Sequence, residues 1–293
     1  GGGDLGSNTM IDVIESINFN SQGNAVDFGN LSNIKRGGKS FSSSTRGVFA
    51  GGYDYTSSTQ TRHNQIEYVT ISTAGNVTDF GDLTEGKYNG TGLSNSTRGI
   101  IAGGTNDSAK LNVIEYVTIA NTGNGTDFGD LSAAKQVLGG CASPTRGIFM
   151  GGDAASYINV IEYITIGSTG DVTDFGNLSA DTGYVASASS TTRGLMYGGR
   201  RGSSDVNTIE YITIASTGNA TDFGDRTVAS RTHSASSNSV FACGAGGFIS
   251  AASNVIDFVT IASTGNASDF GDLTAAKVGI FLGSVCSSHG GIA

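Results

Sequence analysis

The stretch STRGIIAGGTNDSAKLNVIEYVTI, residues 96 to 119, contains the pattern that decides the fold, because the chain repeats it. An Arg-Gly pair opens a short apolar run, two glycines end it, and a variable loop leads to a second apolar strand. A hairpin signal such as STGNAT and an Asp-Phe-Gly segment complete each copy. The IEYVTI strand or a variant of it begins at Ile14, Ile66, Ile114, Ile161, Ile209 and Ile256. The spacings of 52, 48, 47, 48 and 47 residues predict repeats of propeller-blade size.

The two ends of the chain complete one another. Residues 287–293 (SSHGGIA), when followed by residues 1–16 (GGGDLGSNTMIDVIES), align with residues 96–116. The spacing through the termini, from Ile256 to Ile14, is 51 residues and matches the internal spacings. A sixth repeat is therefore split across the termini.

The predicted architecture is an all-β, six-bladed propeller that occupies residues 1–293 as a single domain. Its closing blade is split between about residues 1–30 and 273–293, so that strands from both termini share it. Each repeat supplies four short strands, and ring closure removes the exposed edges that a linear solenoid would have to cap. Both alternating faces of IEYVTI carry apolar side chains, which indicates blades that are covered on both sides.

The Asp-Phe-Gly tripeptide is interpreted as structural. In a protein kinase, one such tripeptide binds magnesium beside a glycine-rich loop, a strand lysine and a catalytic loop, and the sequence has none of these companions. Six copies instead predict packing anchors between neighbouring blades, with the glycine giving room for a bend. The phenylalanines are Phe28, Phe80, Phe128, Phe175, Phe223 and Phe270.

A second structural hypothesis concerns the arginine of each Arg-Gly pair. A glutamate follows in the next strand, and Asn238 replaces the arginine where Asp257 replaces the glutamate. The sequence therefore predicts a partly buried arginine–carboxylate pair across adjacent strands. The proposed pairs are Arg46 with Glu67, Arg98 with Glu115, Arg146 with Glu162, and Arg193 with Glu210.

Composition narrows the classes of partner. The chain has 46 glycines, one proline and only 14% charged residues, which suits a turn-rich all-β protein. A net charge of -9 without any run of Lys or Arg argues against nucleic acid. No apolar run approaches the roughly 20 residues of a membrane helix, so no membrane insertion is expected. Cys141, Cys243 and Cys286 lie far apart, which favours buried small hydrophobes over a zinc site; we expect no metal and no cofactor.

The order of these features resembles the kelch repeat: arginine, apolar strand, Gly-Gly, variable loop, a Glu-x-aromatic strand, hairpin, and aromatic-x-x-Leu. Phenylalanine stands where kelch repeats usually carry tryptophan. The wording IEYITIASTGNATDFGD, residues 209–225, is similar to the kelch-like repeats in virion and tail-associated proteins of marine tailed bacteriophages, especially those of cyanobacteria. The resemblance implies a virion or tail location outside the cell and a role in host recognition. The partners it implies are other virion proteins and a bacterial surface polysaccharide or receptor.

The loops after the Gly pair are the candidates for binding. They are predicted to share a face with the connections between blades, and they vary while the Thr-Gly-Asn turns of the opposite face are nearly uniform. Variable loops on a rigid scaffold usually carry recognition, although unconstrained solvated tips would vary too. Aromatic faces suit sugars or apolar patches, and arginines suit acidic groups. The candidate residues are Tyr53, Asp54, Tyr55, Arg62, His63, Tyr157, Arg200, Arg201 and Phe248.

Three function classes remain open. The first is a noncatalytic virion or tail-associated module that binds a bacterial surface glycan or protein, and the second is a structural decoration or assembly subunit. The third is a glycan-active enzyme, which needs two carboxylates roughly 5 to 9.5 Å apart. Its nonrepeated acidic candidates are Asp54, Asp153 and Asp205. Copper enzymes of the galactose-oxidase type need His and Tyr ligands, but the three histidines (His63, His233 and His289) fall in different repeats, so we predict no catalytic residue and no enzyme.

Overall fold

Short antiparallel strands make up the regular structure of the part of the chain that the structure describes. The computed structural model describes residues 1–6, 9–56, 59–278 and 285–292. No helix occurs among these residues, and therefore none that is long and apolar enough to cross a membrane. The strands are β1 (Gly3–Asp4), β2 (Met10–Ile11), β3 (Val13–Ser16), β4 (Val26–Asn30), β5 (Lys39–Ser42), β6 (Arg46–Ala50), β7 (Tyr53–Thr56), β8 (Thr59–Arg62), β9 (Gln65–Thr70), β10 (Thr78–Asp82), β11 (Thr91–Ser94), β12 (Arg98–Ala102), β13 (Val113–Thr118), β14 (Thr126–Asp130), β15 (Gly139–Ala142), β16 (Arg146–Met150), β17 (Val160–Thr165), β18 (Thr173–Asn177), β19 (Ala186–Ser189), β20 (Arg193–Arg201), β21 (Ser204–Thr213), β22 (Thr221–Asp225), β23 (Ser234–Ser237), β24 (Phe241–Ala245), β25 (Ser253–Thr260) and β26 (Ser268–Lys277).

Five antiparallel sheets of four strands form the blades of a propeller. Blade 1 has the strand order β5-β6-β9-β10, and blades 2 to 5 are β11 to β14, β15 to β18, β19 to β22 and β23 to β26. The first strand of each blade contacts the first strand of the next, so these inner strands surround a central channel. The predicted all-β propeller is confirmed.

The prediction of six four-stranded blades is wrong, because the described residues form five. At the sixth position β3 pairs with β4 alone, and we call this pair the terminal unit. The glycine pair of the terminal unit, Gly2 and Gly3, makes the same backbone bonds as the glycine pairs of the blades. Gly2 N donates to Val13 O at 3.0 Å, and Gly103 N of blade 2 donates to Val113 O at the same distance. The N-terminal half of the split repeat therefore follows the repeat pattern.

The C-terminal half departs from the pattern. Residues 286–292 lie at the end of the channel where the inner strands finish: Gly290 N donates to Ser189 O at 3.1 Å, and the His289 imidazole lies 3.1 Å from Ser42 O. In blade 2 the equivalent strand β12 buries four consecutive residues after its arginine, whereas residues 289–292 (HGGI) offer two glycines and one large apolar side chain. Pairing beside β3 would bury little apolar surface. Residues 279–284, which belong to the C-terminal part of the predicted closing blade, lie outside the described residues.

The ring nevertheless closes through six positions. At each one, the glycine of the Thr-Gly-Asn turn, or its equivalent, donates to the carbonyl of the preceding Asp-Phe-Gly phenylalanine at 2.7 to 3.0 Å. The pairs are Gly75 to Phe28, Gly123 to Phe80, Gly170 to Phe128, Gly218 to Phe175, Gly265 to Phe223, and Gly23 to Phe270. The terminal unit thus occupies a full position on the outer rim between blades 5 and 1.

This contact explains the glycine of the Asp-Phe-Gly tripeptide. Gly129 has φ +148°, and a Cβ added there would lie 2.5 Å from the carbonyl of Gly170. Only glycine allows the neighbouring turn to approach so closely. The phenylalanines lie at the same boundaries: Phe80 of blade 1 is buried in one apolar cluster with Ile101 and Val117 of blade 2. The Asp-Phe-Gly tripeptide therefore packs each repeat against the next one.

The predicted arginine–glutamate pairs do not form. In blade 2 the register places Arg98 opposite Thr118 of β13. Glu115 lies three residues before Thr118 on that strand, so the two positions are about 10 Å apart at the usual strand rise. Arg98 Nη1 donates instead to Ile166 O of blade 3 at 2.9 Å, and the guanidinium lies 4.6 Å from the centroid of the Tyr116 ring. The same two kinds of contact recur at Arg46, Arg146 and Arg193.

The strand carboxylates pair with other cations. In four of the six positions the cation is a lysine in the connection that precedes the blade, and in blade 4 it is an arginine of the loop after the glycine pair. In blade 5 an arginine replaces the leucine that begins the connection. The pairs are Lys35 with Glu67, Lys87 with Glu115, Lys135 with Glu162, Arg201 with Glu210, Arg226 with Asp257, and Lys277 with Glu15.

The pair in blade 2 shows how a buried strand carboxylate is held ionised. Glu115 is fully buried, and its Oε1 accepts a hydrogen bond from Thr84 N at 2.8 Å. Burial raises the pKa of Glu115, but the Lys87 ammonium and the Thr84 hydrogen bonds outweigh burial and hold the pKa below its ordinary value. The connection between blades is thereby fixed to the blade that follows it.

Candidate functional site

The variable loops all emerge on one face of the propeller. Because the strands of each blade alternate in direction, the loops after the glycine pairs share a side with the connections between blades. Six short bridges join the two sets around the ring: Asp4 to Val278, Arg36 to Tyr53, Tyr88 to Thr105, Gln136 to Asp153, Gly183 to Arg200, and Arg231 to Phe248. We call this side the loop face; it comprises residues 4–6, 53–56, 59–65, 105–112, 153–159, 200–207 and 248–254 with the connections.

Three tyrosines stack at the boundary between blades 1 and 2. Tyr53 lies 4.4 Å from Tyr88 between ring centroids, and Tyr55 meets Tyr53 edge-on at 5.6 Å. The Arg36 guanidinium lies 5.1 Å from the centroid of the Tyr53 ring, and Arg36 Nε donates to the Tyr53 hydroxyl at 2.6 Å. Tyr55 is 41% exposed, whereas Tyr53 is half-buried. We call Tyr53, Tyr55 and Tyr88 the tyrosine platform.

Planar polar side chains border the tyrosine platform. Asp107 accepts hydrogen bonds from Gln60 Nε2 at 3.0 Å and from the Tyr88 hydroxyl. Arg62 Nη1 lies 3.4 Å from Asp107 Oδ2, and both of these side chains are 40% exposed. Burial, together with the bond to Asp107, raises the pKa of Tyr88 to about 12. Tyr88 therefore stays a neutral hydrogen-bond donor throughout the physiological range.

His63 and Asp54 lie on the inner side of the same hairpin. Their side chains are 2.9 Å apart between His63 Nε2 and Asp54 Oδ2, and Asp54 is buried. His63 and Asp54 therefore stabilise the β7-β8 hairpin. Tyr55 and Arg62 are more exposed and are the accessible candidates of this hairpin.

The remaining candidates are spread around the ring. Tyr157 meets Tyr184 edge-on at 6.2 Å, and Phe248 lies under the Arg231 guanidinium, 4.4 Å from the ring centroid. Arg200 bends back onto its own hairpin, where Nη2 donates to Ser203 O at 3.2 Å. The structure thus brings together only the candidates of blade 1, and the others form separate small clusters.

Arg201 has a structural contact that the sequence did not indicate. Its guanidinium pairs with the buried Glu210 carboxylate and donates to the Thr182 hydroxyl at 3.1 Å. Thr182 stands where other connections have the lysine, so Arg201 supplies the missing positive charge. A side chain that neutralises a buried carboxylate is costly to withdraw for a ligand.

The nonrepeated acidic residues each contact a different basic group. Asp54 faces His63, Asp153 lies 2.9 Å from Lys110 Nζ, and Asp205 accepts two hydrogen bonds of 2.8 Å from Arg231. These contacts lie at three separate places: within the β7-β8 hairpin, between blades 2 and 3, and between blades 4 and 5. In the part of the chain that the structure describes, no three His, Cys, Asp or Glu side chains are arranged to hold a metal ion.

The central channel encloses a space of about 120 Å³. Its lining comes from the inner strands with residues 286 and 289. Burial lowers the pKa of Lys39 to about 7, and it lowers the pKa of His233 well below the ordinary value, with the Arg226 charge adding to the shift. Burial raises the pKa of the Cys141 thiol to about 12, so this free cysteine is unreactive near neutral pH.

The sequence did not indicate four residues of the tyrosine platform and its border: Arg36, Gln60, Tyr88 and Asp107. Arg36 and Tyr88 each follow the connection lysine directly, and this position bridges to the residue after the glycine pair all around the ring. An alignment of the six repeats shows this shared position, and it could have identified Arg36 and Tyr88 as neighbours of the variable loops. Asp107 lies in a loop of unique sequence and carries no such signal.

Comparison with known proteins does not identify a family for this chain. No protein-family model matches the chain, and no curated protein matches it.

Proposed function

We propose that this chain is a noncatalytic binding module, a kelch-like propeller of a tailed-bacteriophage virion or tail, which recognises a bacterial surface polysaccharide or protein. The observation that supports the proposal is a contrast between the two faces. The rim turns repeat the same hydrogen bonds at all six positions, whereas the loops of the loop face differ in length and sequence. Variation confined to one side of a rigid scaffold is typical of a recognition surface.

The test is binding of the fluorescently labelled protein to intact bacterial cells, including marine cyanobacteria, with and without competing surface polysaccharide. A loop-face variant that combines Tyr55→Ala, Arg62→Ala and Arg200→Ala is compared with Val240→Ser, which changes an exposed residue of the opposite face. We expect binding that polysaccharide competes away, that the loop-face variant loses and that Val240→Ser retains. Binding to no cell by the folded protein would contradict host recognition.

A structural decoration or assembly subunit is the second candidate function. Ion pairs join neighbouring loops of the loop face, such as Lys110 with Asp153 and Arg231 with Asp205, and they hold the surface in one shape. Leu5, Ile34 and Ile249 are exposed on the same face, and scattered apolar groups of this kind suit contact with another protein. For this candidate, we expect the labelled protein to bind phage particles that lack it and to ignore cells.

A further inference from the structure

We propose that the tyrosine platform is a subsite for a neutral sugar unit, with the exposed ring of Tyr55 as the stacking surface and the Arg62–Asp107 pair as the hydrogen-bonding edge. This inference rests on the proposed function and deepens it, because it names the chemical class of the ligand and the part of the loop face that takes it.

The stacking surface is rigid before any ligand arrives. Tyr55 packs edge-on against Tyr53, which lies against Tyr88 and under Arg36. The bond from Arg36 Nε to the Tyr53 hydroxyl fixes the central ring. An aromatic side chain that is already held loses little conformational freedom on binding, and its apolar face suits the C–H groups of a pyranose ring.

The edge beside the rings supplies donors and acceptors in planar groups. Asp107 offers carboxylate oxygens, and Arg62 and Gln60 offer N–H donors that already point toward it. The Arg62–Asp107 pair is 40% exposed on both sides, and ion pairs as exposed as this contribute little to stability. Arg62 also donates from Nη1 to Asn106 O, so the edge offers a sugar the remaining N–H groups of Arg62 and the oxygens of Asp107.

The balance of charge selects a neutral ligand. Arg36 Nη1 lies 2.6 Å from Asp4 Oδ2, and Arg62 is paired with Asp107, so each cation near the platform already has a carboxylate. Asp54 adds a further acidic group behind the hairpin. A carboxylated or sulfated sugar would meet no surplus positive charge here, and the chain as a whole has a net charge of -9.

No other boundary of the described loop face combines these features. Tyr157 and Tyr184 form an aromatic pair between blades 3 and 4, but both rings are less exposed than that of Tyr55, and the neighbouring Arg200 is bonded to carbonyls of its own hairpin. Phe248 has a guanidinium over its ring, and that guanidinium is committed to Asp205. Tyr157 is therefore a control: an aromatic residue on the same face that is less exposed than Tyr55 and lies beside Asp153, whose carboxylate Lys110 and Gln136 already hold.

The experiment is saturation-transfer NMR and calorimetric titration of the full chain with two sets of oligosaccharides. One set is neutral and built from glucose, galactose and mannose, and the other is acidic and built from hexuronic acids. We expect at least one neutral oligosaccharide to bind, with the Kd raised roughly tenfold or more by Tyr55→Ala and changed less than about threefold by Tyr55→Phe, which keeps the ring. Asp107→Asn should weaken binding, and Tyr157→Ala should leave it unchanged.

The outcomes separate this subsite from the proposed function. If wild-type protein binds cells but Tyr55→Ala binds oligosaccharide and cells equally well, the proposed function stands and the subsite is wrong. Binding of acidic oligosaccharides alone, or loss of binding in Tyr157→Ala and not in Tyr55→Ala, would also overturn the subsite. If no cell is bound while a neutral oligosaccharide still binds through Tyr55, the subsite stands and host recognition fails. Far-UV circular dichroism of each variant shows that it is folded.

Discussion

Replacement of Lys35 by threonine tests the buried pairs that fix each connection to the next blade. The Lys35 ammonium lies 2.9 Å from Glu67 Oε2, and the two side chains are 0% and 3% exposed. Threonine fits the position, because Thr182 occupies the same place in blade 4. With Lys35→Thr, Glu67 keeps its bond from the Ser32 hydroxyl but loses its counter-charge in a site that water does not reach.

An unpaired buried charge of this kind costs about 3 to 5 kcal/mol. For a chain of this length the unfolding entropy is roughly 0.6 kcal/mol per kelvin, so the melting temperature should fall by about 5 to 8 °C. Because the protein has no tryptophan, urea unfolding followed by far-UV circular dichroism is the suitable assay. The double variant Lys35→Thr with Glu67→Gln removes the charge and keeps a hydrogen-bond acceptor, so it should recover most of the loss. A Lys35→Thr protein within about 1 kcal/mol of wild type would refute the reasoning.

Four further predictions follow from named contacts. Gly129→Ala should cost at least about 2 kcal/mol because its Cβ would strike the neighbouring turn, whereas Gly123→Ala, which has open space, should change stability by less than about 1 kcal/mol in the same urea titration. Arg98→Ala should cost about 1.5 to 3 kcal/mol through its bond to the next blade, as the shift in thermal unfolding will show. The folded-state pKa of Glu115 is depressed, so its stabilisation is present above the unfolded-state pKa and is lost as pH falls through the folded value; the stability difference between wild type and Glu115→Gln should shrink from pH 7 to pH 3. Tyr55→Ala should leave stability within about 0.5 kcal/mol of wild type by thermal unfolding, since the side chain is exposed.

The sequence was sufficient for the propeller class because every repeat contains the same strand and turn signals. Period, alternation and glycine placement are local properties, and they predict blades without reference to tertiary contacts. The same repeat pattern predicts a four-stranded closing blade, but this blade does not form in the described residues. Residues 289–292 have too few apolar side chains to bury beside β3. Gly290 N instead donates to Ser189 O and the His289 ring contacts Ser42 O, a competition that the alignment of the two ends does not reveal.

The partner of each strand carboxylate is harder to predict from the sequence. The recurrence of both residues favours a pair between the Arg-Gly arginine and the strand glutamate, but the strand register places Arg98 opposite Thr118. The lysine of the connection recurs equally well, and its replacement by Thr182 with a compensating Arg201 was a readable signal. At the site, the variable loops identified Tyr53 and Tyr55, whereas contacts across a blade boundary depend on which loops become neighbours.

Hydrogen exchange followed by mass spectrometry, with and without extracted bacterial surface polysaccharide, tests recognition through the loop face. We expect slower exchange in peptides that cover residues 53–65, 84–90 and 105–111, which border the tyrosine platform, and unchanged exchange in the rim turns around Gly123 and Gly170. Protection confined to the rim turns, or no protection at a polysaccharide concentration that saturates cell binding, would contradict recognition through the loop face.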